Sequence, residues 1–221
     1  MRFPLLAPLG AALLCAFGCA STQKTIMSDP PGAMVTVNDD KAGVTPVKYD
    51  FDFSKHVRYD VVLQKDGFIP AEQVVFSDTV AARDTVLQFA MARDPSWDDT
   101  VESEIANTFL RIQINPQFAK DTVWQRIFDS VTTRYPSVAQ MDKDAGYIKT
   151  APIFKTYHAN GQEFTIRTSF VATIASPDPL VYKFEIVSER SSGNDVWTPW
   201  HRIFSDDQKL VNEMQDRLSV K

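Results

Sequence analysis

Both cysteines of this 221-residue chain, Cys15 and Cys19, lie close to its N-terminus. Everything downstream must therefore fold without a disulfide, a thiolate metal site or a cysteine nucleophile. The core has to come from apolar packing alone, and apolar residues make up 44 % of the chain, enough for one or two domains. A chain of this kind folds irrespective of the redox state of its compartment.

The N-terminal stretch has the pattern of an export signal. Arg2 carries the positive charge, and Phe3 to Phe17 has no charged residue and includes Leu5, Leu6, Leu9, Leu13 and Leu14. That run is shorter than the ~20 residues needed to cross a bilayer, and polar Ser21-Thr22-Gln23-Lys24 follows it at once. Residues 1–18 are thus expected to be a cleaved signal peptide. Ala16-Phe17-Gly18-Cys19 resembles the lipobox of bacterial lipoproteins, although Ala16 and Phe17 depart from the usual residues at their positions. The resemblance implies lipidation of Cys19, a lipid-anchored tether over 19–27, and a membrane contact through that lipid. The absence of aspartate at Ala20-Ser21 implies the periplasmic face of the outer membrane. An ordinary secretory signal followed by a structural Cys19 is the alternative reading.

From residue 28 to about 92 the pattern is of β type. Met34–Asn38 alternates, Asn38-Asp39-Asp40-Lys41-Ala42-Gly43 is a polar turn, and Val57–Gln64 sets Tyr59, Val61 and Leu63 against polar neighbours. With Val47–Phe53, Gln73–Phe76 and Thr85–Met91, this predicts about five or six short strands. The order Pro31-Gly32-Ala33, Val35-Thr36-Val37-Asn38, Gly43-Val44-Thr45-Pro46 and Lys65-Asp66-Gly67-Phe68 resembles the PEGA domain, a small extracytoplasmic β-sandwich. Asp39 stands where that family usually has glycine, which leaves the turn type open. The resemblance implies an all-β module that binds envelope components or partners and performs no chemistry.

Residues 93–107, with Asp94-Pro95-Ser96 and the acidic Asp98, Asp99, Glu102 and Glu104, read as a linker. Residues 108–221 form a second patterned segment. Leu110, Ile112 and Ile114 alternate; Trp124, Ile127, Phe128, Val131 and Tyr135 recur at helical spacing, with Asp121 as a cap; Gly146–Phe154 reads as one strand. Asn160-Gly161 marks a hairpin between long alternating runs. A final helix begins at Ser205, where Ser205 and Gln208 fit a capping box. The expected fold class is α+β: a β-sandwich followed by a β-α-β-β-β-α domain with an antiparallel sheet and two helices on one face. That order, with Trp124 on a helix before a Gly146-Tyr147 strand, loosely resembles the small domains of the C lipoprotein of the outer-membrane β-barrel assembly machinery. It implies, by analogy alone, an accessory subunit of such a machine.

Catalytic chemistry is not legible. His56, His158 and His201 are far apart and in no metal-ligand spacing. There is no Gly-x-Ser-x-Gly elbow or glycine-rich phosphate loop, so a hydrolase is only a third reading. No metal, cofactor or catalytic residue is expected. The net charge of −5 argues against a nucleic-acid partner. The most distinctive stretch is Trp197-Thr198-Pro199-Trp200-His201-Arg202. Trp197, Trp200, His201 and Arg202 there could form a surface for a sugar ring or a protein, or the indoles could instead cover the sheet and anchor the last helix. The functional expectation is a non-catalytic binding or scaffold lipoprotein, taking a protein partner or peptidoglycan.

Overall fold

The computed structural model describes residues 21–79, 83–193 and 196–220, so the expected signal peptide over 1–18 and Cys19 lie outside the described residues. The chain divides between Met91 and Ala92 into two compact units.

The first unit is a β-sandwich. Its strands are β1 (Ser21–Asp29), β2 (Met34–Val37), β3 (Asp40–Val44), β4 (Val47–Asp52), β5 (Arg58–Gln64), β6 (Ala71–Phe76) and β7 (Val86–Ala90). One sheet runs β4-β1-β7 and the other β3-β2-β5-β6. Ile26, Val35, Val37, Phe51, Tyr59, Val61, Leu63, Val75 and Leu87 are buried between them. Edge-to-face contacts among Tyr49, Phe51, Phe53 and Tyr59 extend this core.

Residues 21–27 are not the expected tether. They belong to β1, the central strand of its sheet, paired antiparallel with β4 and parallel with β7. The polar Ser21-Thr22-Gln23-Lys24 run hides this, because Lys24 points inward with Ile26 and donates from Nζ to the Asp84 carbonyl.

Two turns explain the motif residues of this unit. Gly32 has φ +87°, a region costly for a residue with a Cβ. Its N–H, and that of Ala33, reach the Thr45 hydroxyl at 3.1 and 2.9 Å, while the Thr45 and Ser28 hydroxyls are 2.5 Å apart. Thr45 is thus a buried latch that closes the Pro31-Gly32-Ala33 entry. Thr45→Val keeps the shape and removes the acceptor; it is expected to cost about 1–3 kcal/mol by urea denaturation, with Thr45→Ser close to wild type. At the β2–β3 hairpin, Asn38 and Asp39 have φ +50° and +69°, as a type I′ turn requires at its central pair. The turn type that Asp39 left open is therefore the glycine-favouring one, occupied by a residue with a Cβ. Asp39→Gly should stabilise this unit by about 0.5–1 kcal/mol, read as a raised denaturation midpoint.

The second unit is α+β. A 3₁₀ turn (Pro95–Asp98) leads into β8 (Thr100–Glu102) and β9 (Leu110–Gln113), then α1 (Lys120–Arg134). Next come β10 (Val138–Asp142), β11 (Tyr147–Thr150), β12 (Ile153–Ala159), β13 (Gln162–Pro177) and β14 (Leu180–Ser191). The chain ends through β15 (Thr198–Pro199), β16 (Arg202–Phe204) and α2 (Ser205–Leu218). The long β13–β14 hairpin is the axis of an antiparallel sheet. β11 and β12 share the outer side of β13, and β9 and β15 share that of β14.

Even-numbered residues of the hairpin, among them Phe170, Ala172, Tyr182, Phe184 and Ile186, join one cluster with Val123, Ile127 and Val131 of α1 and Leu210, Val211, Met214 and Leu218 of α2. Both helices therefore cover the same face. Asn160-Gly161 makes the expected turn, with φ +51° and +73°.

Four expectations change here. Residues 93–107 are not a linker: β8 pairs with β16, and Asn107 is bound to Ser188 and Trp200. The order β-α-β-β-β-α omits β10, β15 and β16. The expected strand over Gly146–Phe154 is divided between β11 and β12. Neither expected side-chain cap forms: the caps are Ala119 and Phe204, and Gln208 instead accepts from the Ser103 hydroxyl at 2.6 Å.

Candidate functional site

Trp197, Trp200, His201 and Arg202 do not make one surface. A strand places alternate side chains on opposite faces of its sheet, and the two indoles meet opposite faces of the β13–β14 hairpin. Trp197 lies on the face away from the helices. The Arg167 guanidinium sits 4.0 Å from its ring centroid, exposed Phe154 meets it edge-on, and Arg167 Nε donates to Glu189 at 2.7 Å. Trp200 is buried on the helix-covered face beside Arg190, whose guanidinium also lies 4.0 Å over Phe164 and pairs with buried Asp94 at 2.8 Å.

Arg202 is buried as well. It stacks 3.6 Å over Trp97 and donates to the carbonyl and hydroxyl of Thr100 at 2.6 and 3.0 Å. His201 alone of the four is exposed. Arg202 directly, and Trp200 through Arg190, brace residues 94–100 against the sheet, a different segment from the last helix, while Trp197 with Phe154 stays partly open.

Several groups of this unit have perturbed protonation. Asp207 is fully buried at the start of α2. It accepts from Arg134 Nε at 2.8 Å and from the Thr168 hydroxyl at 2.7 Å. Burial pushes its carboxyl above the ordinary range, against the lowering pull of Arg134. Tyr135, buried beside it, is pushed well up for the same reason. Asp99 goes the other way: hydrogen bonds from Lys155 at 2.6 Å and Tyr157 at 3.0 Å hold its carboxyl low.

A cleft of about 360 Å³ opens at this point, walled by Arg134, Asp98, Asp99, Lys155, Phe154 and Asp206 together with Ile153, Phe204 and Ser205. Sequence pattern gives Asp98 and Asp99 only as part of a linker, and Ser205 and Phe154 only as ends of a helix and a strand; it gives no cleft. Their meeting depends on contacts between residues far apart in the chain.

Among the described residues no group of three or more His, Cys, Asp or Glu side chains is placed to hold a metal ion. His56, His158 and His201 are all exposed. No described helix is long and apolar enough to cross a membrane.

Residues 21–88 match the family model described as the PEGA domain, which takes in β1 and all four motifs of the first unit. No curated protein and no solved structure matches the chain.

Proposed function

We propose, from the PEGA domain formed by residues 21–88, that this chain is a non-catalytic binding or scaffold protein of the bacterial cell envelope. That match is the observation that carries the reading. In this proposal the chain is lipidated at Cys19 and held at the periplasmic face of the outer membrane, where it takes a protein partner or peptidoglycan. The first strand starts at Ser21, so lipid on Cys19 would leave almost no tether. The β-sandwich would then sit against the headgroups, and several acyl chains would give a firm anchor.

Palmitate labelling of wild type against Cys19→Ser tests the anchor; equal labelling of the two would sink it. Crosslinking in cells followed by mass spectrometry, with a parallel pulldown on intact peptidoglycan, tests the partner class. Retention on the glycan or recovery of one envelope protein supports the reading. A chain that captures neither overturns it.

A further inference from the structure

The cleft beside Arg134 has the features of a small-molecule site. Its wall carries both charges. Arg134 is fixed through Nε by the fully buried Asp207, and its two terminal nitrogens make no other hydrogen bond among the described residues. A guanidinium held this way presents its donor fork with little entropy left to lose. The same wall carries Asp98 and Asp206, ion-paired with the exposed cations Arg93 at 2.6 Å and Lys209 at 3.0 Å, and Asp206 also feels the Arg134 charge. Lys155 and Asp99 neutralise each other at 2.6 Å. Ile153, Phe154 and Phe204 add apolar lining.

This charge layout selects against simple ions. A plain anion attracted to Arg134 would meet the carboxylates of Asp98 and Asp206, and a plain cation attracted to those acids would meet Arg134. A group carrying both charges close together satisfies the guanidinium and a carboxylate at once. We infer that the cleft binds an α-amino-acid zwitterion, with its carboxylate on the Arg134 terminal nitrogens, its ammonium on Asp206 or Asp98, and its side chain against Phe154. The ligand is either a free amino acid or an intact α-amino-acid centre at the end of a longer group. The site is separate from lipid anchoring and from any partner of the first unit, so its failure would leave the reading above untouched.

The test uses the isotope-labelled full-length chain in detergent, with backbone amide shifts followed at 153–155 and 205–206. Four probes are titrated: leucine, N-acetyl-leucine, leucinamide and Nε-acetyl-lysine. Leucine should give saturable shifts, while N-acetyl-leucine, lacking the ammonium, and leucinamide, lacking the carboxylate, should each bind at least about tenfold more weakly. Binding of Nε-acetyl-lysine equal to leucine assigns the site to tethered zwitterions, and much weaker binding assigns it to free amino acids. Asp206→Asn, at an exposed position, should lower leucine affinity by about tenfold, with only a small fall in melting temperature from the lost Lys209 pair. Arg134→Lys keeps the charge facing Asp207 and should also lose leucine affinity. Absence of saturable shifts with leucine, or equal binding of either blocked analogue, overturns the assignment.

Discussion

Asp207→Ala should destabilise the second unit by about 3–5 kcal/mol, the range for removing one partner of a buried ion pair. The carboxylate is fully buried and satisfies two donors, Arg134 Nε and the Thr168 hydroxyl. Truncation leaves both facing a void. Arg134 is 26 % exposed and recovers some hydration, which places the effect toward the lower end of the range. Asp207→Asn retains shape and one acceptor and should cost clearly less. All four tryptophans, Trp97, Trp124, Trp197 and Trp200, belong to this unit, so their fluorescence during urea denaturation reports it separately from the β-sandwich. A midpoint for Asp207→Ala within error of wild type would remove Asp207 from any structural role.

The same residue sets a pH dependence. Because burial raises its folded-state pKa above the ordinary 3.8, the folded unit holds a proton that the unfolded chain has already released. Its contribution is present in full below that ordinary value and is lost as pH rises through the raised one. The stability of wild type relative to Asp207→Asn should therefore fall as pH rises above about 4 and through the raised carboxyl. A gap that widens over this window would contradict the raised carboxyl.

The contrast between Asp207 and the hairpin turns shows what was legible in the sequence. Asn160-Gly161 and Lys65-Asp66-Gly67-Phe68 announce themselves because a turn is decided by the φ preference of the residues in it. The alternation along β13 and β14 is equally local. The PEGA motifs share this property, since Gly32 and Thr45 act within one corner of the sandwich.

Asp94 and Asp207 carry no such signal. Each sits in a polar run that reads as solvent-exposed, and each is buried by an arginine far along the chain, Arg190 and Arg134 respectively. The stretch from Trp197 to Arg202 is ambiguous in sequence for a related reason. Two aromatic residues beside a cation suit an exposed stacking surface and a buried cation–π brace equally well. Only the path of residues 94–100 across the sheet decides for the brace at Trp200 and Arg202.

The turn before β11 offers the second large effect. Gly146→Ala is expected to cost about 2–5 kcal/mol, combining the left-handed backbone penalty with overpacking of a filled core. Gly146 has φ +60°, and a Cβ there would lie 2.5 Å from the Tyr182 hydroxyl and 2.6 Å from two carbons of Ile174. The Tyr182 hydroxyl is itself buried without a hydrogen-bond partner among the described residues, and burial pushes its pKa up to about 12. Such a group carries a desolvation penalty with nothing to offset it. Tyr182→Phe should thus be neutral or stabilising by up to about 1 kcal/mol.

The double variant Gly146→Ala/Tyr182→Phe should then be more stable than the sum of the single changes predicts, because removing the hydroxyl relieves part of the clash that the methyl creates. The residual cost should match the backbone term and the Ile174 contact. Coupling between contacting residues of about 0.5–3 kcal/mol is measurable by a double-mutant cycle in urea. Strict additivity would show that the Gly146 methyl finds room elsewhere and that the cost is the left-handed backbone alone.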